Sequence, residues 1–334
     1  MSKIIWVLKD DRAGNYSQAL GLAEAIWRKL PESKIKIKEI NYNFWAKIPN
    51  FLKINGLLGI KSSSKFELFN QKSKPDIIIS AGRKTAPLCA FLKKYYQAFT
   101  IQIMHPNLNF KKFNLVALPD HDRKNDAKNV IRILGSLTRI KEDLLKEEYE
   151  KFSDILETNL KPRISLLVGG SSKTRKFTTQ TAKNLGKMVS KISSNLNGHL
   201  FIFDSRRTGN EISEILDQNL IGNFSKTFFK WQECQEINPY FAALYSSDLI
   251  IATGDSITMC CEICSLGKSI YIFDSPEICS LKHRKFLNNL FEKGFAKKLD
   301  GKLDGKLDGK TLVFANSKKL AESQRLADVI IKQI

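Results

Sequence analysis

A short glycine-rich stretch in the second half of the chain carries groups that suit a phosphate. Gly169-Gly170-Ser171 directly follows the apolar run Ile164–Val168, and Lys173 lies just beyond it. Glycines let backbone amides approach a diphosphate closely, while hydroxyl and ammonium groups add further donors. The stretch lacks the GK[ST] ending of a P-loop, so a plain tight turn remains the alternative. The pattern predicts a diphosphate-binding turn.

Two further stretches of the same half have comparable chemistry. Ser205, Arg206 and Arg207 follow the apolar run His199–Phe203, and paired guanidinium groups at a strand end are typical of an anion site. The segment Thr253–Glu262 follows another apolar run and starts with a glycine turn.

Within Thr253–Glu262, Asp255 or Ser256 can cap a helix that Gly267 ends. Glu262 lies about two helical turns after Asp255, so both side chains can share one face. A carboxylate there can accept hydrogen bonds from two ribose hydroxyls. The alternative is a cap and one solvated glutamate.

The first half also has polar clusters behind its predicted strands. They are Asp11, Arg12 and Gly14; Gly82, Arg83 and Lys84; and Asp120-His121-Asp122. Since the carboxyl ends of parallel strands share one edge of a sheet, we expect these clusters to form a site. A histidine between two aspartates at a strand end suits acid–base chemistry.

These clusters require strands and helices in alternation, and that pattern predicts an α/β fold. A chain of 334 residues suits two domains, which we place at 1–145 and 160–297, with a charged helix 141–160 near the junction. Residues 298–310 carry a Lys-Leu-Asp-Gly repeat that predicts an inserted surface loop, since its glycines oppose a helix. A strand and a helix follow at 311–334.

The formal charge of +20 predicts an acidic partner, such as an anionic membrane, a phosphorylated substrate or nucleic acid. Nucleic acid is disfavoured because no arginine-rich run, zinc pattern or aromatic RNA-binding signature occurs. The segment Phe44–Phe66 interleaves aromatic residues with lysines, which is typical of a segment lying on an anionic bilayer. A helix pair packed on the domain core explains it equally well.

The six cysteines have no paired CxxC…CxxC spacing, so we expect small buried residues in a reducing compartment and no metal at Cys261 and Cys264. No window is apolar enough to span a bilayer. The sequence therefore predicts a cytoplasmic protein, with a peripheral position on the inner membrane as a further expectation.

Taken jointly, the motifs resemble the mitochondrial-fission (elongated-mitochondria) family, whose bacterial members are regarded as glycosyltransferases of the GT-B fold. The resemblance covers about residues 4 to 275 and rests on the order of these motifs: Trp6, Asp11-Arg12-x-Gly14 and Gln18; Ser80 to Pro87; Pro119 to Asp122 with Asn129-Val130; Gly169-Gly170-Ser171; Ser205 to Thr208; Asn238-Pro239-Tyr240; and Asp255-Ser256-x-x-Met259-x-x-Glu262. The segment Tyr240–Phe273 is also similar to the donor half of the peptidoglycan lipid-intermediate transferase. Departures are Lys84, where a second arginine is expected, and the Lys-Leu-Asp-Gly insertion.

The resemblance implies two Rossmann-like domains facing a cleft, with a last helix that crosses back to the first domain. It implies that Gly169, Gly170 and Ser171 contact the diphosphate of a nucleotide sugar, which Ser205, Arg206 and Arg207 help to neutralise. It further places Asp255, Ser256 and Met259 at the sugar and Glu262 at the ribose hydroxyls.

No metal or other cofactor is implied, because amides, a helix dipole and basic side chains serve instead. Asp120-x-Asp122 formally matches the DxD metal motif of the other transferase fold, but it lies in the half that does not hold the donor.

The resulting hypothesis is transfer of a sugar from a nucleotide-diphosphate sugar to an acceptor at the cytoplasmic membrane face, of lipid-linked, envelope-glycan or lipopolysaccharide type. We expect His121 or Asp122 as the general base, with Asp11 behind them. The alternatives are a non-catalytic membrane scaffold and a nucleotide-sugar epimerase.

Overall fold

The structure is a computed structural model that describes residues 2–50, 53, 55–122, 127–233, 237–300, 305–308 and 311–334. The chain divides into two compact units: unit 1 is Met1–Arg139 with Ala321–Ile334, and unit 2 is Ile140–Leu320. Elements are numbered in chain order.

Unit 1 contains a six-stranded sheet in the order β2-β1-β3-β4-β5-β6, in which all neighbours are parallel. Its strands are β1 Ile4–Lys9, β2 Lys34–Glu39, β3 Ile77–Ala81, β4 Phe99–Ile103, β5 Leu115–Pro119 and β6 Val130–Ile133. Its helices are α1 Ala13–Lys29, α2 Ser62–Phe69, α3 Gly82–Tyr96 and α10 Glu322–Ile331, with 3-10 turns at Phe44–Lys47 and Phe110–Lys112.

Alternation along β1 explains the two cores of unit 1. Ile5 and Val7 face a core shared with α1 and α10, while Trp6 and Leu8 face a second core shared with α3. Successive side chains of a strand point to opposite faces, so a strand buried on both faces reads as one apolar run.

The C-terminal helix α10 completes the first of these cores. Leu326, Ala327 and Ile330 are fully buried in it. The Ser323 hydroxyl donates to the Thr138 carbonyl at 2.9 Å, and Lys29 forms an ion pair with Asp328 at 2.6 Å. The last residues of the chain therefore belong to the fold of unit 1.

Unit 2 repeats the architecture with a parallel sheet in the order β12-β11-β10-β7-β8-β9. Its strands are β7 Arg163–Leu167, β8 His199–Phe203, β9 Ser225–Phe229, β10 Leu249–Thr253, β11 Ser269–Phe273 and β12 Lys297–Lys298. Its helices are α4 Glu142–Phe152, α5 Thr179–Leu196, α6 Asn210–Asn219, α7 Tyr240–Ser246, α8 Ile257–Cys264 and α9 Leu281–Glu292, with a 3-10 turn at Asp154–Leu156. The predicted α/β class with two Rossmann-like units is confirmed.

The boundary between the units follows Arg139 rather than residue 145. The expected junction helix is α4, and it belongs to unit 2 because it packs against α7, where Tyr149 and Tyr245 have ring centroids 5.4 Å apart. Strands β6 and β9 are additions to the sequence prediction.

The Lys-Leu-Asp-Gly segment is not simply a loop. Gly305–Asp308 forms strand β13, which pairs antiparallel with β14, Thr311–Phe314. Residues 301–304 and 309–310 of the repeat lie outside the described residues. The glycine argument excludes a helix correctly, but it does not exclude a hairpin, which needs only backbone bonds between adjacent segments.

Within its described residues, the segment Phe44–Phe66 has two short helical elements. It contains the 3-10 turn Phe44–Lys47 and most of α2, while residues 51, 52 and 54 lie outside the described residues. Phe44, Trp45 and Phe66 are 73%, 57% and 69% exposed, so their rings do not serve the core.

Five cysteines are buried free thiols, as predicted, and Cys234 lies outside the described residues. Among the helices described, none combines the length and the apolar character needed to cross a bilayer.

Candidate functional site

Three predicted stretches meet at the carboxyl edge of the unit 2 sheet, because β10, β7 and β8 are neighbours. The amide of Gly170 donates to Asp255 Oδ2 at 2.8 Å. Nη2 of Arg207 donates to the same oxygen at 3.0 Å, and its Nη1 donates to the Gly170 carbonyl at 3.3 Å. One carboxylate thus joins the turns after β7 and β8 to the turn after β10.

Both glycines of the β7 turn are required by this packing. A Cβ on Gly169 would lie 2.3 Å from each carboxylate oxygen of Asp255, and a Cβ on Gly170 would lie 2.1 Å from the Arg207 carbonyl oxygen. Real Cβ atoms do not approach backbone oxygens this closely, so any larger residue would separate the turns.

Asp255 is the centre of the network and is only 4% exposed. Its Oδ1 accepts from the Thr253 hydroxyl at 2.6 Å, and the Gly169 amide donates to that hydroxyl oxygen at 2.8 Å. A buried carboxylate with protein donors on both oxygens holds the turns together, and the contact of Asp255 with a sugar stays a prediction.

Hydroxyl groups tie the β8 turn to the β7 turn. The Ser205 amide donates to Thr208 Oγ1 at 2.9 Å, and the Thr208 hydroxyl donates to the carbonyl groups of Val168 and Gly169. Ser171 Oγ accepts from the Phe177 amide at 3.0 Å, so it organises its own loop.

Two basic residues of the predicted set point to solvent, since Lys173 and Arg206 are exposed, and Arg207 is half-buried. The guanidinium of Arg207 therefore combines fixed geometry with access to solvent, and a bidentate cation of this kind suits phosphate.

Helix α8 begins beside this network with Ser256 as its cap, and Ser256 Oγ accepts from the Met259 amide at 3.5 Å. Of the two predicted caps, Ser256 is confirmed. Ser256 and Met259 are half-buried, and Gly267 takes a φ of +70° just after the helix.

Glu262 lies on α8 and is held by a tyrosine. The hydroxyl of Tyr240 donates to Glu262 Oε2 at 3.2 Å. Burial raises the pKa of Glu262 to about 7, although the tyrosine hydrogen bond lowers it. Burial, followed by the charge of Glu262, raises the pKa of Tyr240 well above its usual value. At neutral pH this carboxyl group is consequently divided between its two protonation states.

The sequence analysis missed His283, on the first turn of α9. Its Nδ1 shares a hydrogen bond with Ser280 Oγ at 2.6 Å. Burial lowers the pKa of His283, the charge of Asp255 raises it, and the charges of Lys282 and Arg207 lower it. Ser280 is the N-cap of α9, a signal that predicts where the helix starts but does not single out the histidine.

The carboxyl edge of unit 1 carries a separate cluster. Asp11 forms an ion pair with Lys84 at 2.6 Å, and this hydrogen bond lowers the pKa of Asp11. Its neighbour Asp10, which the sequence analysis also missed, is buried and accepts from the Arg12 amide at 3.1 Å and from Asn15 Nδ2 at 2.9 Å. Burial raises the pKa of Asp10.

Of the two predicted glycines at the carboxyl edge of the unit 1 sheet, only Gly82 is required by the structure. Gly82 has a φ of +76°, and a Cβ there would lie 2.6 Å from Asn15 Nδ2. A Cβ on Gly14 would meet nothing within 4 Å. Arg12 and Arg83 are exposed.

The turn after β5 lies apart from this cluster. Arg132 Nε donates to Asp120 Oδ1 at 3.3 Å, and Arg132 Nη2 donates to the Asp122 carbonyl at 3.3 Å. Strands β3 and β4 lie between β1 and β5, so the two turns are about 14 Å apart at about 4.8 Å per strand. Asp11 therefore lies away from His121 and Asp122, and the choice among these three residues as general base stays a prediction.

A model of the family described as "Mitochondrial fission ELM1" matches residues 13–334. An uncharacterised protein of Rickettsia prowazekii is 31% identical over 97% of this chain and 98% of its own length. The mitochondrial fission protein ELM1 of Arabidopsis thaliana is 24% identical over 69% of this chain and 58% of its own length.

Among solved structures, a candidate UDP-N-acetylglucosamine 2-epimerase of Listeria monocytogenes has a TM-score of 0.51 at 11% identity, covering 99% of this chain and 88% of that one. A glycosyltransferase of Rickettsia africae has a TM-score of 0.48 at 13% identity, covering 99% and 88%. The fold is thus shared with the candidate 2-epimerase of Listeria monocytogenes.

Proposed function

The chain belongs to the mitochondrial fission ELM1 family, and we propose that it is a glycosyltransferase. Its donor would be a nucleotide-diphosphate sugar bound by unit 2, and its acceptor a hydroxyl group of a lipid-linked or envelope-glycan molecule. The observation that carries the proposal is the Gly170–Asp255–Arg207 network at the carboxyl edge of the unit 2 sheet.

The network supports diphosphate binding because it holds the Arg207 guanidinium in place before a ligand arrives; the amides of Gly169, Gly170 and Ser171 donate to protein groups. The glycine turn keeps backbone close to Arg207, and the N-terminus of α8 adds a positive dipole end beside it. Arg206, which is exposed on the same turn, adds a second cation. Preorganised donors need no rearrangement when charge develops on a departing diphosphate.

Glu262 supports recognition of the nucleoside. Its carboxylate would accept hydrogen bonds from the two ribose hydroxyls, and the Tyr240 hydroxyl fixes its position. Such acceptance requires the ionised form, so donor affinity should depend on pH near neutrality.

For the chemical step, we propose that His121 or Asp122 removes the proton of the acceptor hydroxyl. The C–O bond between the sugar and the diphosphate breaks as the acceptor oxygen attacks, and the nucleoside diphosphate departs with the bonding electrons. Arg206 and Arg207 would neutralise it, so the reaction needs no metal cofactor.

The net charge of the chain supports a proposed location at a membrane. A net charge of +20 would draw the protein to the anionic cytoplasmic face of a membrane, where lipid-linked acceptors are found.

The decisive experiment is a thermal-shift panel of UDP-, GDP-, CMP- and TDP-sugars with the wild-type protein. A ligand at about 100 times its dissociation constant stabilises a protein by about 2.7 kcal/mol, which is readily measured. Arg206→Ala and Glu262→Gln should reduce the shift, whereas Lys183→Ala, on the exposed face of α5, should not.

Transfer is then assayed with the stabilising donor and membrane lipids. Product from the donor alone, without acceptor, would identify an epimerase. If no donor stabilises the protein, the non-catalytic scaffold is the better description.

A further inference from the structure

Unit 1 contains a basic cavity that the proposed transfer reaction does not use. It has a volume of about 340 Å³ and is lined by helix α3, by residues 108–112, and by Asn50, Lys53, Asn55 and Gly56. Five of its lining residues are lysines, and none is acidic: Lys53, Lys93, Lys94, Lys111 and Lys112.

The charge of these lysines is not compensated locally. Within the described residues, none of the five forms an ion pair with an aspartate or glutamate. Lys53 is half-buried, and burial followed by the charges of Arg83 and Lys84 lowers its pKa. Ammonium groups gathered without acids around a concave surface create a site of positive potential for an anion.

The cavity also has an apolar wall made by Pro87, Phe91 and Leu108. The backbone of Gly56 closes against this wall, since a Cβ there would lie 2.2 Å from the Pro87 carbonyl oxygen. A purely hydrophilic anion makes no use of such a wall, whereas an amphiphile does.

An exposed aromatic patch continues from the wall. Phe91 stacks on Tyr95 with centroids 6.1 Å apart, and Tyr95 meets Phe69 edge-on at 4.9 Å. Tyr95 is 57% exposed, and Phe66, one helical turn before Phe69 on α2, is 69% exposed. Aromatic rings beside lysines are the side chains that favour the interface of an anionic bilayer.

We propose that this cavity binds the phosphate headgroup of an anionic phospholipid, with the lysine ammonium groups contacting the phosphate. The aromatic patch of Phe66, Phe69, Phe91 and Tyr95 then lies in the bilayer interface. The inference goes beyond the proposed transfer reaction and does not depend on it. It also assigns membrane contact to α3, α2 and residues 108–112, which extends the sequence expectation for Phe44–Phe66 to residues outside that segment.

The test is co-sedimentation with phosphatidylcholine vesicles that contain or lack phosphatidylglycerol. The variant K93Q/K111Q/K112Q removes three charges from the cavity. The control K183Q/K187Q/K191Q removes three exposed charges from α5 in unit 2. Since each lysine at an anionic surface contributes about a factor of five, the cavity variant should lose on the order of a hundredfold in partitioning. The control should change by less than about fivefold.

Equal losses of vesicle partitioning in both variants would show that net charge alone drives binding, and would overturn the proposed headgroup site. The proposal would also be overturned if the protein did not bind phosphatidylglycerol vesicles, or if the cavity bound inorganic phosphate without vesicle binding. The donor-induced thermal shift of the cavity variant, measured in parallel, reports on unit 2. Its retention while vesicle binding is lost separates the two proposals.

Discussion

Asp255→Asn offers the sharpest test of the network in unit 2. The substitution keeps the shape of the side chain and removes its charge. If Asp255 holds the turns, as its burial indicates, the variant should lose stability even when no ligand is present. If Asp255 only contacted a sugar, stability would be unchanged.

The magnitude follows from the three donors on the carboxylate, which come from Gly170, Thr253 and Arg207. A hydrogen bond to a charged group contributes about 1.5–3 kcal/mol and a neutral one about 1 kcal/mol, so each bond loses about 1 kcal/mol. The Arg207 side chain is 36% exposed, and solvent screens its share. We therefore expect a loss of about 2 kcal/mol. Asp255→Ala should cost about 4 kcal/mol, because it leaves the buried Gly170 amide without an acceptor.

The assay is urea unfolding, in which the midpoint should fall while the slope is unchanged. Asp217→Asn is the matched control: it also neutralises an aspartate in an ion pair, at 2.6 Å from Lys226, but that pair is exposed and should contribute less than about 1 kcal/mol. Hydrogen exchange at the Gly170 amide adds a local measurement, since protection should drop in Asp255→Asn. An unchanged midpoint together with unchanged protection of that amide would refute the reasoning.

Three further predictions concern single residues. Burial raises the pKa of Glu262 to about 7, so its contribution to stability is complete at low pH and is lost as the pH rises. Relative to Glu262→Gln, the wild-type unfolding free energy should fall by about 3 kcal/mol between pH of about 4 and about 8. A parallel pH dependence in both proteins would contradict this. Gly170→Ala should abolish the donor-induced thermal shift, because its Cβ would meet the Arg207 carbonyl oxygen. Gly14→Ala, in the open first turn of α1, should instead raise stability by up to about 1 kcal/mol. Equal donor-induced thermal shifts in both variants would argue against a role of the turn. Leu326→Ala should destabilise unit 1 by about 2–5 kcal/mol in urea unfolding. Asp328→Ala, at an exposed position on the same helix, should cost less than about 1 kcal/mol. Similar losses of stability in the two variants would mean that α10 is not part of the core.

The sequence predicts most of the strands that carry polar turns, because buried parallel strands read as continuous apolar runs. The run Leu249–Thr253 is an example, and all of its residues are buried. Strand β9, Ser225–Phe229, was missed because it lies at the edge of the sheet and starts with exposed polar residues. Edge strands lack the apolar pattern on which the prediction depends.

Sequence order predicts which turns lie at one edge, but it does not predict which turns are neighbours. Gly170, Arg207 and Asp255 meet because β7 lies between β10 and β8, an order set by chain crossovers. The same holds in unit 1, where the turns that carry Asp11 and His121 follow strands separated by two others. Burial is equally hard to foresee: Glu262 lies on α8, whereas Asp255 precedes the cap of that helix and faces protein donors on both oxygens.

Arg207 connects the stability of unit 2 with its proposed function. Its Nη1 donates to Gly170 and its Nη2 to Asp255, while the guanidinium remains partly exposed. A diphosphate approaching this group meets a cation whose charge Asp255 already offsets in part. The carboxylate therefore fixes the arginine for binding and at the same time weakens its attraction for a dianion. A transferase benefits from that balance, because the nucleoside diphosphate must leave after every turnover. It follows that neutralising Asp255 should loosen the turns yet strengthen the charge attraction, so that its effect on product affinity is smaller than its effect on folding.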